Sequence, residues 1–260
     1  MSILSIIAIC GCTSPNPYSQ YYKDYTDGQG VIGNPIFVTT TNAPIIKEGV
    51  TPQDDALEML RNGYNIIGES SFNAGPINTS LVEPHARKIG AEIVLIYYQY
   101  TDTVSGSVPL TLPNTHTSHS YGSAFTHGSY GYANTYGTSH TTTYGSKTIY
   151  VPYNTRRYNY TATYWAKANA LTLGAQLLDL NDEQRRQIQS NKGAYVSIVV
   201  KESPAFHNDI LEGDIIRYIN GIEIIDKVHC RKILNDNNGK SITILILRDG
   251  QTLQKTVQLN

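Results

Sequence analysis

The chain of 260 residues contains no run of about 18 consecutive apolar residues, so no stretch is long enough to cross a bilayer as a helix. Excess charge of either sign is also missing. Lys and Arg total 20 against 21 Asp and Glu, a formal net charge of −1, which gives no electrostatic case for nucleic acid as a partner. Cysteine occurs only three times, at Cys10, Cys12 and Cys230. HExxH and paired CxxC patterns are absent, and Gly28-Gln29-Gly30 is followed by neither a third spaced glycine nor a helix. No cofactor is therefore expected. The nearest approach to a nucleophile motif is Gly68-Glu69-Ser70-Ser71-Phe72, but Phe72 stands where the last glycine of G-x-S-x-G belongs. Ser70 and Ser71 read as strand-end or capping residues, and no enzyme is expected.

A further absence marks the middle of the chain. From Thr103 to Ser146 there is no charged residue, and the segment is built from Gly, Ser, Thr, Tyr and His. Such a run buries little aliphatic surface and reads as a mobile or ribbon-like excursion between two strands. His116 and His119 have the spacing of metal ligands, yet no nearby Cys or carboxylate completes a set, and no metal site is expected. Tyrosine accounts for 20 residues of the chain, and aromatics mixed with Gly and Ser suit an adaptable binding surface.

Around this insertion, residues 33–168 read as a small α/β domain. Ile36-Phe37-Val38 suggests a strand, and Asp54 to Arg61 places Ala56, Leu57 and Leu60 at helical spacing before Gly63. Tyr64 to Ile67 reads as a strand. A second helix is predicted near Pro84, stopping at Gly90. Glu92 to Tyr100 has the near-continuous hydrophobicity of a central strand, and Tyr158, Tyr160, Ala162 and Tyr164 alternate along a last one. The expectation is a mixed sheet with two helices.

The C-terminal third carries the strongest local signals. Ser203-Pro204-Ala205 opens a turn, Gly213-Asp214 closes a short helix, Ile215, Ile216 and Ile219 form a buried strand, and Asn220-Gly221 is a hairpin-turn dipeptide. Gly193 to Val196 precedes them as a strand. Ile242 to Leu247, Arg248-Asp249-Gly250 and Val257 supply a closing hairpin. This order resembles the PDZ domain of bacterial HtrA-type envelope proteases, with a helix-like insert at Asn181 to Gln189.

The resemblance implies a PDZ-like β-barrel or sandwich at 170–260, giving an α+β, mixed fold overall. It also implies a binding site for a peptide or a protein C-terminus. The apolar-Gly-apolar triplet Leu173, Gly174 and Ala175 would offer backbone amides to a terminal carboxylate. The peptide would lie beside Gln176, Leu177 and Leu178 as an added strand, facing a helix with Val228, Arg231 and Leu234. The roughly 135 residues upstream cannot hold a two-barrel protease, because a single barrel or sandwich already takes ~100. His229 and Cys230 on that helix read as packing or surface residues.

Ile3 to Ile9 has the length of a secretion-signal h-region, and Ile9-Cys10-Gly11-Cys12 resembles the lipobox of bacterial lipoproteins. Cys12 fits the lipidated position better than Cys10, because Gly11 is small. No Lys or Arg precedes the apolar run. The resemblance implies a signal peptide at 1–12, a flexible tether at 13–32 and a membrane partner reached through the N-terminal lipid. It also implies the bacterial cell envelope, with the outer membrane favoured because Thr13 is not Asp. Cys230 would then be left without a disulfide partner. The composite expectation is a non-enzymatic envelope lipoprotein that binds peptides, with adhesion through 103–146 as the alternative.

Overall fold

The computed structural model describes residues 15–260, so the signal-peptide and Cys12 expectations lie outside the described residues. The fold mixes helix and sheet. A five-stranded sheet has the order β1-β3-β5-β4-β2: β1 is Tyr22–Asp24, β2 Ile45–Glu48, β3 Tyr64–Ala74, β4 Ile93–Gly128 and β5 Gly131–Lys167. β2 runs parallel to β4, pairing Ile45 with Ile93 through Glu48 with Ile96, while β1 is antiparallel to β3, so the sheet is mixed.

Two helices of useful length attend this sheet. Helix α2, Pro52–Arg61, follows α1, Pro17–Gln20, and buries Met59; α3, Val82–Ile89, buries Val82, His85 and Ala86. Gly90 ends α3 at φ +77°, the left-handed cap that only glycine adopts without cost. Ile93 to Ile96 are all buried at the start of β4, as a strand covered on both faces requires.

Two expectations for this half need correction. Residues from Asn16 onward are not a flexible tether: Tyr18 is fully buried, and its ring meets Phe72 edge-on at 5.1 Å. Asn16 caps α1 through Tyr18 N–H and donates to the Leu81 carbonyl at 2.6 Å, while Tyr22 packs on His85 and Tyr164. Aromatic burial thus holds residues that composition alone made look like linker. Ile36-Phe37-Val38 makes no strand, only a bridge from Phe37 to Ala168, because Asn34 Oδ1 accepts from the Ile36 amide and turns the chain.

Between Tyr100 and Tyr158, β4 and β5 form a compact unit of their own, a long two-stranded hairpin with Ser129 and Tyr130 at its tip.

The C-terminal part is a second sheet of order β11-β10-β8-β7-β6, with β9 pairing β8. β6 is Ala175–Asp179, β7 Ala194–Val199, β8 Ile215–Ile219, β9 Ile222–Glu223, β10 Ser241–Arg248 and β11 Gln251–Gln258. The sheet is open, with β6 and β11 at its edges, and not a closed barrel. Helices α4 (Asp182–Gln187), α5 (Pro204–His207) and α6 (Lys227–Asp236) complete it. Their starts are written in the sequence: Asn181 and Gln184 make a reciprocal capping box, Ser203 caps α5 and Asp226 caps α6.

Asn220 and Gly221, at φ +50° and +81°, form the two-residue turn that pairs Ile219 with Ile222. The core is aliphatic, with Ile210, Ile216, Ile219, Ile224, Ile244 and Val257 fully buried. Gly213 does not close a helix: α5 ends at His207, and Asp214 is buried as the bidentate partner of Arg248.

Candidate functional site

β6 is an edge strand, so one row of its backbone groups faces away from β7. The orientation of each residue follows from its partners. Ser197 Oγ donates to the Gln176 carbonyl from the β7 side, whereas Arg231 Nη2, on α6, donates to the Leu177 carbonyl at 3.1 Å. The Leu177 carbonyl therefore points into the cleft between β6 and α6. Of the remaining expected strand residues, Gln176 is half-buried, Leu177 is core and Leu178 is exposed. Across the cleft Leu234 is buried, while Val228 is 66% exposed.

The loop before β6 has a constrained geometry. The Leu173 carbonyl accepts from Ala205 N–H and the Gly174 carbonyl from Val200 N–H, both at 2.9 Å. Ser203 Oγ donates to the same Gly174 carbonyl at 3.2 Å and accepts from Phe206 N–H. With both carbonyls anchored, the peptide planes are fixed. Neither the Leu173 nor the Gly174 amide donates to a protein acceptor among the described residues. Gly174 has φ +76°, and a Cβ there would lie 2.0 Å from Ser203 Cβ, so both backbone conformation and space demand glycine.

Of the expected site residues, Leu173 to Leu177, Arg231 and Leu234 line a cleft of about 720 Å³ that also takes in Leu60, Gly63, Lys167, Lys201, Ser203 and Asn235, whereas Leu178 and Val228 lie outside its lining. The charged side chains in its lining are Lys167, Lys201 and Arg231 against Glu202, so cationic side chains predominate around the free amides. Lys201 is partly spent on Glu58 at 2.6 Å. The sequence reading missed Lys167, Lys201, Ser203 and Asn235. Ser203 sits in a legible Ser-Pro turn, but the others come from distant chain segments that carry no local signal.

The remaining candidates separate clearly. Ser70 is fully buried, donating to the Tyr18 carbonyl at 2.6 Å and sharing a hydrogen bond with Tyr164, which is a structural role and not that of an accessible nucleophile. Ser71 is exposed, three positions before the end of β3. His119 pairs with His140 on the facing strand of the hairpin, and His116 joins neither. Among the described residues no group of three His, Cys, Asp or Glu is placed to hold a metal. Cys230 is buried in the core and its thiol is pushed up to about 12 by burial, so it is inert as a nucleophile. His229 Nδ1 accepts from the Ile225 amide.

No curated protein sequence matches the chain. Among solved structures, an HtrA-type protease, AlgW, with a decapeptide is 28% identical; the match covers 34% of this chain and 28% of that one, at a TM-score of 0.30. The HtrA3 PDZ domain bound to a phage-derived ligand is 19% identical, over 34% of this chain and 83% of that one, at a TM-score of 0.31. This chain thus spans less than a third of the AlgW chain it matches. Residues 172–259 match the PDZ domain family, and the C-terminal part of this protein is a PDZ domain.

Proposed function

We propose that the PDZ domain captures the C-terminus, or an exposed strand, of a partner by β-strand addition, and that the protein is a non-enzymatic adaptor or scaffold. The observation that carries this reading is the edge of β6. It presents the Leu177 carbonyl to a cleft rimmed by Lys167, Lys201 and Arg231, next to the unpartnered amides of Leu173 and Gly174. A terminal carboxylate would sit on Leu173, Gly174 and Ala175. The peptide backbone would run along Gln176, Leu177 and Leu178, and its side chains would meet Val228, Arg231 and Leu234.

An ordered short peptide reaches only micromolar affinity, about −8 kcal/mol. Titrating the full chain with fluorescent peptides that end in a free carboxylate gives saturable binding. Amidating the same peptides weakens it at least about tenfold, the cost of losing an ionic hydrogen-bonded group. A flat response across a C-terminal peptide library removes the proposal.

The same reading places the protein in a bacterial envelope, tethered by lipid on Cys12 and facing the periplasm or the surface from the outer membrane. The lipobox-like Ile9 to Cys12 supports this, and no described helix is long and apolar enough to cross a membrane. Mass spectrometry of the mature N-terminus tests it: diacylglyceryl on Cys12 is expected, and an unprocessed Met1 is the contrary result.

A second reading rests on the exposed, tyrosine-rich hairpin. There the 103–146 segment is the adhesive surface and the PDZ domain its support. Deleting 112–145 separates the two, since loss of partner binding with peptide binding intact favours the second.

A further inference from the structure

The hairpin formed by β4 and β5 has two distinct faces. Thr111 meets Thr148, Thr117 meets Thr142 and His119 meets His140, so one register runs unbroken toward the tip. Directly opposed residues share a face and successive residues alternate. The face of His119 and His140 therefore also carries Tyr121, Phe125, Tyr132, Tyr136 and Tyr144. Near the tip the opposite face holds Ser118, Ser120, Gly122, Ala124 and Thr126 facing Thr141, Ser139, Gly137, Thr135 and Ala133, with no aromatic among these ten. Tyr132 is 86% exposed and Tyr144 83%.

Among the described residues no third strand joins the hairpin along this length. β2 meets β4 only from Ile93 to Ile96, and β3 spans eleven residues at the base of β5. Both outer edges thus present unpaired backbone groups over about 50 Å, from 15 residues at ~3.3 Å each. Natural edges are blunted by charge, by proline or by a covering element. Between Asn114 and Ser146 there is neither a charged residue nor a proline, although Pro109, Pro113, Lys147 and Pro152 stand just outside. A two-stranded ribbon is also marginal in water by itself.

We propose that this ribbon is a self-association element, pairing edge to edge with the ribbon of a second copy of the chain. The occupant follows from charge. A strongly acidic or basic partner finds no counter-charge between 114 and 146, whereas a second copy brings an edge of equal length and no like-charge repulsion. Pairing continues the ladder into a four-stranded sheet, with the aromatic rows joined on one surface and the small residues on the other. It is independent of the peptide cleft, whose residues lie outside the hairpin.

Sedimentation velocity on the full chain tests this, with the double variants Ser118→Lys, Thr135→Lys and Ser118→Glu, Thr135→Glu. Both positions are exposed, one on each strand and well apart, so the charges do not oppose each other within one ribbon. The wild type associates with concentration to at least twice the monomer mass. Each variant alone sediments as monomer, and an equimolar mixture of the two regains the larger species. Hydrogen exchange on the wild type shows amides of 114–146 protected only where the oligomer forms. A wild type that stays monomeric at every concentration, or an oligomer that both variants leave unchanged, overturns the proposal.

Discussion

Arg231 reaches from α6 across the cleft and donates to the main-chain carbonyl of Leu177 on β6 at 3.1 Å. That carbonyl is an acceptor an added strand would use, so the guanidinium competes with the peptide for it. Replacing Arg231 with Ala frees the group. The expected gain is about 0.5–1 kcal/mol, or roughly two- to fivefold tighter binding of free-acid peptides by fluorescence polarisation. A loss of tenfold or more would instead mean that the contact of Arg231 with the peptide outweighs its competition for this carbonyl.

Gly174 and Ser203 are fitted so closely that no side chain can be inserted. Gly174→Ala strains a positive φ and drives a methyl into Ser203. A stability loss of about 2–4 kcal/mol is expected in urea unfolding, together with loss of peptide binding. A variant of native stability that binds normally would show that the loop repacks and that its geometry is not what holds a carboxylate.

Asp214 is 1% exposed and takes two hydrogen bonds from Arg248 and one from the Leu211 amide. Arg248→Ala leaves a buried carboxylate unpaired at about 3 kcal/mol or more, visible as a fall in Tm. Replacing Arg61, whose pair with Glu212 is about one-third exposed on both sides, costs under about 1 kcal/mol. The two variants together test whether burial decides the outcome.

His85 is buried against Tyr22 and Tyr164, and neither ring nitrogen has a partner. Burial, and then the nearby charge of Lys88, hold its pKa below the ordinary 6.5. The unfolded chain therefore binds this proton at a pH where the folded chain resists it. Stability from His85 is full above about pH 6.5 and declines as pH falls below it. Urea midpoints at about pH 7.5 and about pH 5 should differ in that sense, and His85→Leu should shrink the difference. An equal slope in the variant would assign the effect to other groups.

Legibility in the sequence tracked how local the signal was. Asn220-Gly221 fixed a turn and Gly90 a helix stop, because each acts within four residues of itself. Leu173-Gly174-Ala175 was named only for its resemblance to an apolar-Gly-apolar pattern. The clash that makes Gly174 obligatory comes from Ser203, 29 positions away. Tyr18 looked like part of a linker because its neighbours are polar, and only the rings of Phe72 and its surroundings made it core.

The amino-acid order by itself determined the alternation of strands and turns, the glycines at left-handed positions and the uncharged middle segment, since backbone sterics and hydrophobic periodicity operate over a few residues. Which edge stays open, which carbonyl Arg231 occupies, and that Lys167 and Lys201 join one cleft were decided by tertiary structure. Hydrogen bonds and cavities depend on distance in space, and the chain brings those groups together only after its two sheets have formed.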